Sequence, residues 1–256
     1  MEILFIASLP PPINGQAYVT DVLLVAMQTK HRVTVINTAK ELSDSRYFLL
    51  SRSLKTFNLL FKVWKNRRKV DAIYITISES LLGNIRDIFT YLCFASTLSN
   101  VIIHLHGGSI KKELWDKNVL LYKVNRIILK KIGGVIISGE SHREIFAKII
   151  PQKKLHLFPN FAPKHMFISD HELNLQKDTT PLRILYLSSL REKKGYQDLL
   201  EAIFNIPENV RKRLQVDFAG AFRFGEKRDK FLSRVATCDQ IRYHGIVSEK
   251  QKKKLF

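Results

Sequence analysis

The sequence predicts an α/β protein built on parallel sheets, and three observations carry that prediction. Strand-like apolar runs alternate with helical runs along the chain, the pattern of parallel strands joined by crossover helices. With 45% hydrophobic and 10% aromatic residues in 256, the chain has enough apolar material for a packed core and a length that suits one to two domains. A polar, charged segment, Ala162 to Pro181, divides the strands into two series, which reads as an inter-domain connection.

The first series of expected strands is Ile3 to Ala7, Arg32 to Ile36, Ala72 to Ile77, Val101 to Leu105, Val135 to Ser138 and Leu155 to Phe158. Helices are expected between them at Ala17 to Thr29, Leu81 to Leu98, Asn118 to Lys131 and Ser141 to Ile149. The second series is Arg183 to Ser188, Gln215 to Ala219 and Ile241 to His244, with a helix at Gln197 to Phe204. These limits place one domain at 1–165, a linker at 166–181 and the first part of a second domain at 182–256.

One further helix is amphipathic. Between Ser53 and Lys69, Leu54, Phe57, Phe61 and Trp64 recur at helical spacing, flanked by Lys55, Lys62, Lys65 and Arg68. Such a helix suits an anionic lipid surface, although the simpler expectation is a core-facing stripe with a solvated basic side. Ile88 to Ile110 carries no Asp, Glu, Lys or Arg, yet Asn100, His104, His106 and two glycines interrupt it. It is expected to be buried core, not a membrane span.

The formal net charge is +19, from 42 Lys and Arg against 23 Asp and Glu, which implies an anionic partner or surface. No nucleic-acid motif accompanies the charge, so a nucleic acid is not the expected partner. Cys93 and Cys238 match neither a disulfide framework nor a zinc pattern, and a reducing cytoplasm is the expected compartment. The N-terminus has no basic region before its apolar run and reads as a first strand, not an export signal.

In open α/β sheets ligands bind beyond the carboxyl ends of the strands, and four loops there carry candidate chemistry. After the first strand, Pro10-Pro-Pro-Ile-Asn14-Gly15 brings backbone close to a ligand at a helix start. After the fourth, His104-Leu-His106-Gly107-Gly108 puts both histidines on one face beside two glycines. His106 is placed to donate to a bound hydroxyl or phosphate, and His104 is expected to be a buried histidine with a satisfied hydrogen bond. No carboxylate or Cys sits at a telling spacing from the pair, so no metal is expected. In Ser138-Gly-Glu-Ser141, Ser138 or Ser141 is expected to cap the next helix. After the seventh strand, Ser189-Leu-Arg191-Glu-Lys-Lys194-Gly195 sets cations and backbone N–H groups where a phosphate docks, or forms a charged, solvated loop.

The ordered series Pro10 to Gly15, His104 to Gly108, Ser138 to Ser141, Phe158-Pro-Asn-Phe161, Ile184 to Gly195 and Tyr243-His-Gly-Ile-Val-Ser248 resembles the GT-B glycosyltransferases. The resemblance is to the retaining, nucleotide-sugar-dependent enzymes of glycosyltransferase family 4, and it covers nearly the whole chain. It implies a GT-B fold of two Rossmann-like domains with parallel sheets, the second incomplete here, with the acceptor on the first domain and the donor on the second. By that resemblance His106 contacts the transferred sugar, Gly15 with Asn14 lies near the donor phosphates, and Lys194 meets the donor diphosphate. The family often has an arginine where this chain has Ser189, and Arg191 is expected to supply that charge; Gly107, Gly108 and Ser138 support the site. The family's two glutamates separated by seven residues are absent.

The resemblance thus implies transfer of a sugar from a nucleotide-diphosphate donor, as substrate and without a cofactor, to a glycan or lipid-linked acceptor. The setting is cell-surface polysaccharide synthesis in the cytoplasm, or peripherally at the inner face of the cell membrane. Because the second domain stops early, the isolated chain is expected to transfer little sugar. The alternatives are a non-catalytic glycan- or anionic-membrane-binding module, or one chain of a two-chain transferase.

Overall fold

The computed structural model describes residues 1–11, 14–39, 48–68, 70–162, 167, 181–222 and 227–256, with side chains of 48–52 excepted. These residues form two compact units, Met1–Phe161 and Ala162–Phe256. Most of the predicted linker, 166–181, and Lys69 lie outside the described residues.

Unit 1 is a six-stranded parallel sheet: β1 (Glu2–Ala7), β2 (Arg32–Asn37), β3 (Ala72–Thr76), β4 (Val101–Leu105), β5 (Gly134–Ile137) and β6 (Leu155–Leu157). Its order is β2-β1-β3-β4-β5-β6, so the chain reverses direction across the sheet between β1 and β3, a topological switch point. The strands of the sheet's middle have little exposed surface because both of their faces are covered. On one face Phe5, Ala7 and Tyr74 pack with Leu24 of α1 (Gly15–Gln28). On the other, Leu4, Ile6, Ile73, Ile75, Ile103 and Val135 join a larger core. That core is closed by α2 (Phe48–Asn66), α3 (Leu81–Leu92) and α4 (Val119–Leu129), followed by the short α5 (Arg143–Phe146).

All nine expected strands are present, each within one residue of its expected ends. The helices depart more. The helix expected over Leu81 to Leu98 stops at Leu92, and a turn and a short 3-10 segment, Leu98–Asn100, lead into β4. One expectation about burial is overturned, and another, buried core over Ile88 to Ile110, holds for Tyr91, Phe94, Leu98, Val101, Ile103, Leu105 and Ile110 but not throughout. On α2, Leu54, Phe57, Phe61 and Trp64 do not face the core: they are 66%, 70%, 61% and 53% exposed, while Val63 is buried. On α3, Phe89 and Leu92 are likewise exposed, and the buried residues are Asn84, Asp87, Thr90 and Tyr91.

Three of the four buried polar side chains of α3, Asn84, Asp87 and Thr90, are paired as burial requires, whereas the Tyr91 hydroxyl is buried without a partner. Asn84 and Asn125 of α4 exchange side-chain hydrogen bonds, Nδ2 of Asn125 donating to Oδ1 of Asn84 at 2.7 Å. Asp87 accepts from the Ser78 backbone N–H at 2.7 Å and from the Arg86 guanidinium at 2.6 Å, fixing the loop that follows β3. Asp87→Ala strands the Ser78 N–H and is expected to lower the unfolding free energy by about 2 kcal/mol, the scale of a hydrogen bond to a charged group. Urea denaturation measures it, and an unchanged midpoint contradicts this role.

Unit 2 is smaller: a three-stranded parallel sheet in the order β7-β8-β9, from β7 (Leu182–Leu187), β8 (Leu214–Ala219) and β9 (Ile241–Tyr243). Its helices are α6 (Tyr196–Asn205), α7 (Glu208–Arg211), α8 (Arg228–Val235) and α9 (Glu249–Leu255). One face of the sheet carries an aromatic core in which Phe218, Phe231, Tyr196, Phe222 and Tyr243 meet edge to face. Such pairs add to the apolar burial of the rings themselves.

Candidate functional site

The candidate residues lie at the carboxyl edges of the two sheets. At the edge of unit 1, β3 and β4 are in register with Thr76 beside His104, so Tyr74, two residues earlier, reaches His104 from the neighbouring strand. The Tyr74 hydroxyl and His104 Nδ1 are 2.6 Å apart, and the Tyr74 ring stacks on Phe5 at 4.4 Å. His104 in turn lies against His106, ring centroids 3.8 Å apart, and edge-on to Phe158. His104 is thus buried with a satisfied hydrogen bond, as expected, but only at one ring nitrogen. Its Nδ1 is engaged, but its Nε2 is buried without a partner, and so is Nε2 of His106.

Burial disfavours the charged imidazolium. It pulls His104 down to about 3, helped by repulsion from His106, and His106 down to about 4. Both rings are neutral near pH 7, each with one N–H and one lone pair. A buried, unpaired ring nitrogen beside a strand end suits an incoming hydroxyl or other polar group, because a partner restores a hydrogen bond lost on burial.

The loop after β4 is held tightly. Glu79, in the loop after β3, accepts from the Ser109 backbone N–H at 3.0 Å and from Ser109 Oγ at 2.8 Å. A Cβ on Gly107 would lie 2.4 Å from that carboxylate, and one on Gly108 3.0 Å from Nε2 of His142. The two glycines thus let the chain pass between Glu79 and His142. At the start of α1, Asn14 caps the helix, its Oδ1 accepting from the Ala17 N–H at 2.9 Å. Space is open where a Gly15 side chain would be. Ser138 does not cap the following helix as expected: its hydroxyl donates to the Leu105 carbonyl at 3.1 Å, tying β5 to β4. The short helical turn after it starts at Gly139 without a side-chain cap. A cap needs a hydroxyl directed along the chain, and this one is directed across the sheet.

At the edge of unit 2, the loop after β7 has a defined shape. Leu190 is buried, pairs with Phe222 and donates its N–H to the Ala221 carbonyl at 2.9 Å. The Tyr186 hydroxyl reaches the carbonyls of both Ser189 and Lys194, at 3.3 and 3.2 Å, closing the loop. Arg191, Lys193 and Lys194 are left exposed on its outside. Gly195 adopts a left-handed conformation, φ 74° and ψ 17°, which turns the chain into α6. Asp198 occupies the first turn of that helix, so an anion here is held by the cations more than by the helix terminus.

Two more glycines with positive φ follow β8 and β9, Gly220 at 149° and Gly245 at 68°. All the positive-φ residues among those described thus lie at this one edge. Gly220 donates to the Gly245 carbonyl at 2.7 Å and accepts from the Tyr243 hydroxyl at 2.9 Å. A Cβ on Gly220 would lie 1.9 Å from the Ser188 carbonyl oxygen. The three strand ends therefore approach closely, with backbone and cations facing outward.

The structure brings His106, Gly107 and Gly108 together with Glu79, and Ser189, Arg191 and Lys194 together in one loop. Tyr74 and Glu79 were not singled out by the sequence. Glu79 stands just beyond a strand's carboxyl end, a position that marks it; Tyr74 is marked by nothing before the register of β3 and β4 is known.

No family model matches the sequence, and no curated protein matches it. Solved structures do. Sucrose-phosphate synthase from Thermosynechococcus elongatus superposes with a TM-score of 0.64 at 14% identity, covering 99% of this chain and 72% of that one. The trehalose-6-phosphate structure from E. coli, bound with UDP-2-fluoro glucose, gives 0.61 at 11%, over 98% and 75%. WaaG, a glycosyltransferase involved in lipopolysaccharide biosynthesis, gives 0.58 at 11%, over 98% and 72%. The chain has the GT-B type of fold: two Rossmann-like α/β units with parallel sheets, the second smaller.

Proposed function

We propose that the chain serves a glycosyltransferase of family 4, which moves a sugar from a nucleotide-diphosphate donor to a glycan or lipid-linked acceptor in cytoplasmic synthesis of cell-surface polysaccharide. The observation that carries the reading is the edge of unit 2, where Arg191 and Lys194 lie on a loop closed by Tyr186, with Gly195 at the start of α6 and Gly220 and Gly245 just after two strand ends. A structure of the same fold holds UDP-2-fluoro glucose.

In this reading Lys194 and Arg191 meet the donor diphosphate, with Ser189 at the loop's base. As the bond between sugar and diphosphate breaks, negative charge grows on the departing nucleotide, and fixed cations stabilise that charge more than they stabilise the intact donor. Asn14 and Gly15 form the open approach for donor phosphates. His106, neutral and with an unpaired ring nitrogen, hydrogen-bonds a hydroxyl of the transferred sugar. Gly107 and Gly108 support the site by letting the loop pass between Glu79 and His142, and Ser138 supports it by tying β5 to β4. No metal or cofactor takes part in this scheme.

Isothermal titration with UDP and GDP tests it. Saturable binding of one of them is expected, weakened roughly ten- to hundredfold by Lys194→Ala, the scale of a charge-assisted contact. Binding of neither nucleotide, or equal affinity in the variant, contradicts the assignment.

A further inference from the structure

Helix α3 is inside out. Its buried side is formed by Asn84, Asp87, Thr90 and Tyr91, while Leu81, Leu82, Ile85, Phe89 and Leu92 are 37% to 57% exposed. A helix in water turns its apolar stripe to the core, so a helix that pairs Asn84, Asp87 and Thr90 inside and presents apolar residues outside is fitted to a second apolar environment.

The neighbours of α3 extend this surface. α2 packs beside it and α4 on its other side, and all three cover the same face of the sheet. α2 exposes Leu54, Phe57, Phe61 and Trp64, and α4 exposes Val119, Leu120 and Ile127. Neither helix contains an Asp or Glu anywhere in its span. Instead their exposed positions carry Lys62 and Lys65 on α2, with Arg68 just beyond it, and Lys123 and Arg126 on α4, with Lys130 just beyond it. Arg67 lies over the Trp64 ring, its guanidinium carbon 4.3 Å from the centroid, which keeps a charge and an aromatic at one level. Aromatic and basic residues in such company sit where hydrocarbon meets headgroups.

We propose that the outer side of α2, α3 and α4 is a membrane-docking surface whose partner is the face of an anionic lipid bilayer. The apolar residues enter the headgroup boundary, with α3 at the centre and the cations of α2 and α4 on its two flanks. The charge pattern selects this occupant. A second copy of the chain docked through the same face would set basic helices against basic helices, which like-charge repulsion opposes. An anionic bilayer satisfies the apolar centre and the basic flanks together. No described helix is long and apolar enough to cross a membrane. The inference stands on unit 1 alone and does not depend on sugar transfer.

Sedimentation with lipid vesicles tests it, using the full chain. The protein is expected to pellet with phosphatidylcholine–phosphatidylglycerol vesicles, far less with phosphatidylcholine alone, and less as salt rises. Trp64, 53% exposed, is expected to shift its emission to the blue on binding, whereas Trp115 is already buried. Charge reversal at Lys62, Lys65 and Arg68 together is expected to weaken binding more than tenfold, since each cation near such a surface contributes about fivefold. The same reversal at Lys252, Lys253 and Lys254 of unit 2 is expected to change it much less. Ile85→Ser with Phe89→Ser keeps every charge and is expected to abolish the Trp64 shift, with an unchanged circular dichroism spectrum showing the fold intact. The proposal is overturned by any of three results: no binding to the anionic vesicles at low salt, equal losses from the two charge reversals, or a dimer in sedimentation velocity that Ile85→Ser with Phe89→Ser dissolves.

Discussion

Gly220→Ala is expected to lower the unfolding free energy by about 4 kcal/mol, a large fraction of the stability of a small domain. Two costs combine. The glycine holds φ at 149°, where L side chains are strained by roughly 1–3 kcal/mol. The new Cβ would also sit 1.9 Å from the Ser188 carbonyl oxygen, and a backbone atom cannot swing aside as a flexible side chain does. The loop after β7 must therefore shift, and with it Arg191 and Lys194. Gly195→Ala provides the contrast. Its φ is also positive, at 74°, but the nearest atom to the added Cβ is 3.5 Å away, so only the backbone strain of about 1 kcal/mol applies. Urea denaturation of the two variants separates these cases, and equal losses contradict the close approach of the β7 and β8 ends.

Acid is expected to destabilise unit 1 well before its carboxylates titrate in bulk. His104 and His106 have folded pKa values of about 3 and about 4, below the ordinary histidine value of about 6.5. Above pH 6.5 both rings are neutral folded or unfolded, and the stability they contribute is fully present. As pH falls below 6.5 the unfolded chain takes up protons that the folded chain refuses, so stability falls, and it goes on falling until the folded rings protonate near pH 4 and 3. Each histidine adds a slope of about 1.4 kcal/mol per pH unit within that window. Unfolding free energies measured from pH 7 to pH 5 are expected to fall steeply in the native chain. His106→Gln is expected to remove about half of the histidine slope, and the double variant with His104→Gln nearly all of it. A double variant that falls as steeply as the native chain contradicts this origin.

The strands were legible because each is a short apolar run bounded by turn residues, and the crossovers between them leave few topologies open. The helices of unit 2 were less so. In α8 a single residue, Phe231, is buried, too little for a periodic signal among Arg228, Asp229, Lys230 and Arg234. The direction in which an amphipathic stripe faces was not legible at all. Phe57, Phe61 and Trp64 have the same spacing whether they meet core or solvent, and the answer depends on Val63 and Leu59 filling the inner side. For α3 the deciding partners, Asn125 and Ser78, come from other elements.

The site divides in the same way. Loops after strands could be marked from position and residue type, which singled out His106, Gly107, Gly108, Arg191 and Lys194. Contacts that depend on sheet register could not, which is why Tyr74 against His104 and Glu79 against Ser109 emerged with the structure.

Backbone amide shifts of the labelled chain during titration with UDP or GDP test the central claim most directly. The account predicts saturable shifts concentrated at Ser188 to Gly195, Gly220 to Phe222 and Gly245, where the strand ends of unit 2 carry the cations and glycines. No shift at those amides with either nucleotide, or shifts confined to other surfaces, would contradict it.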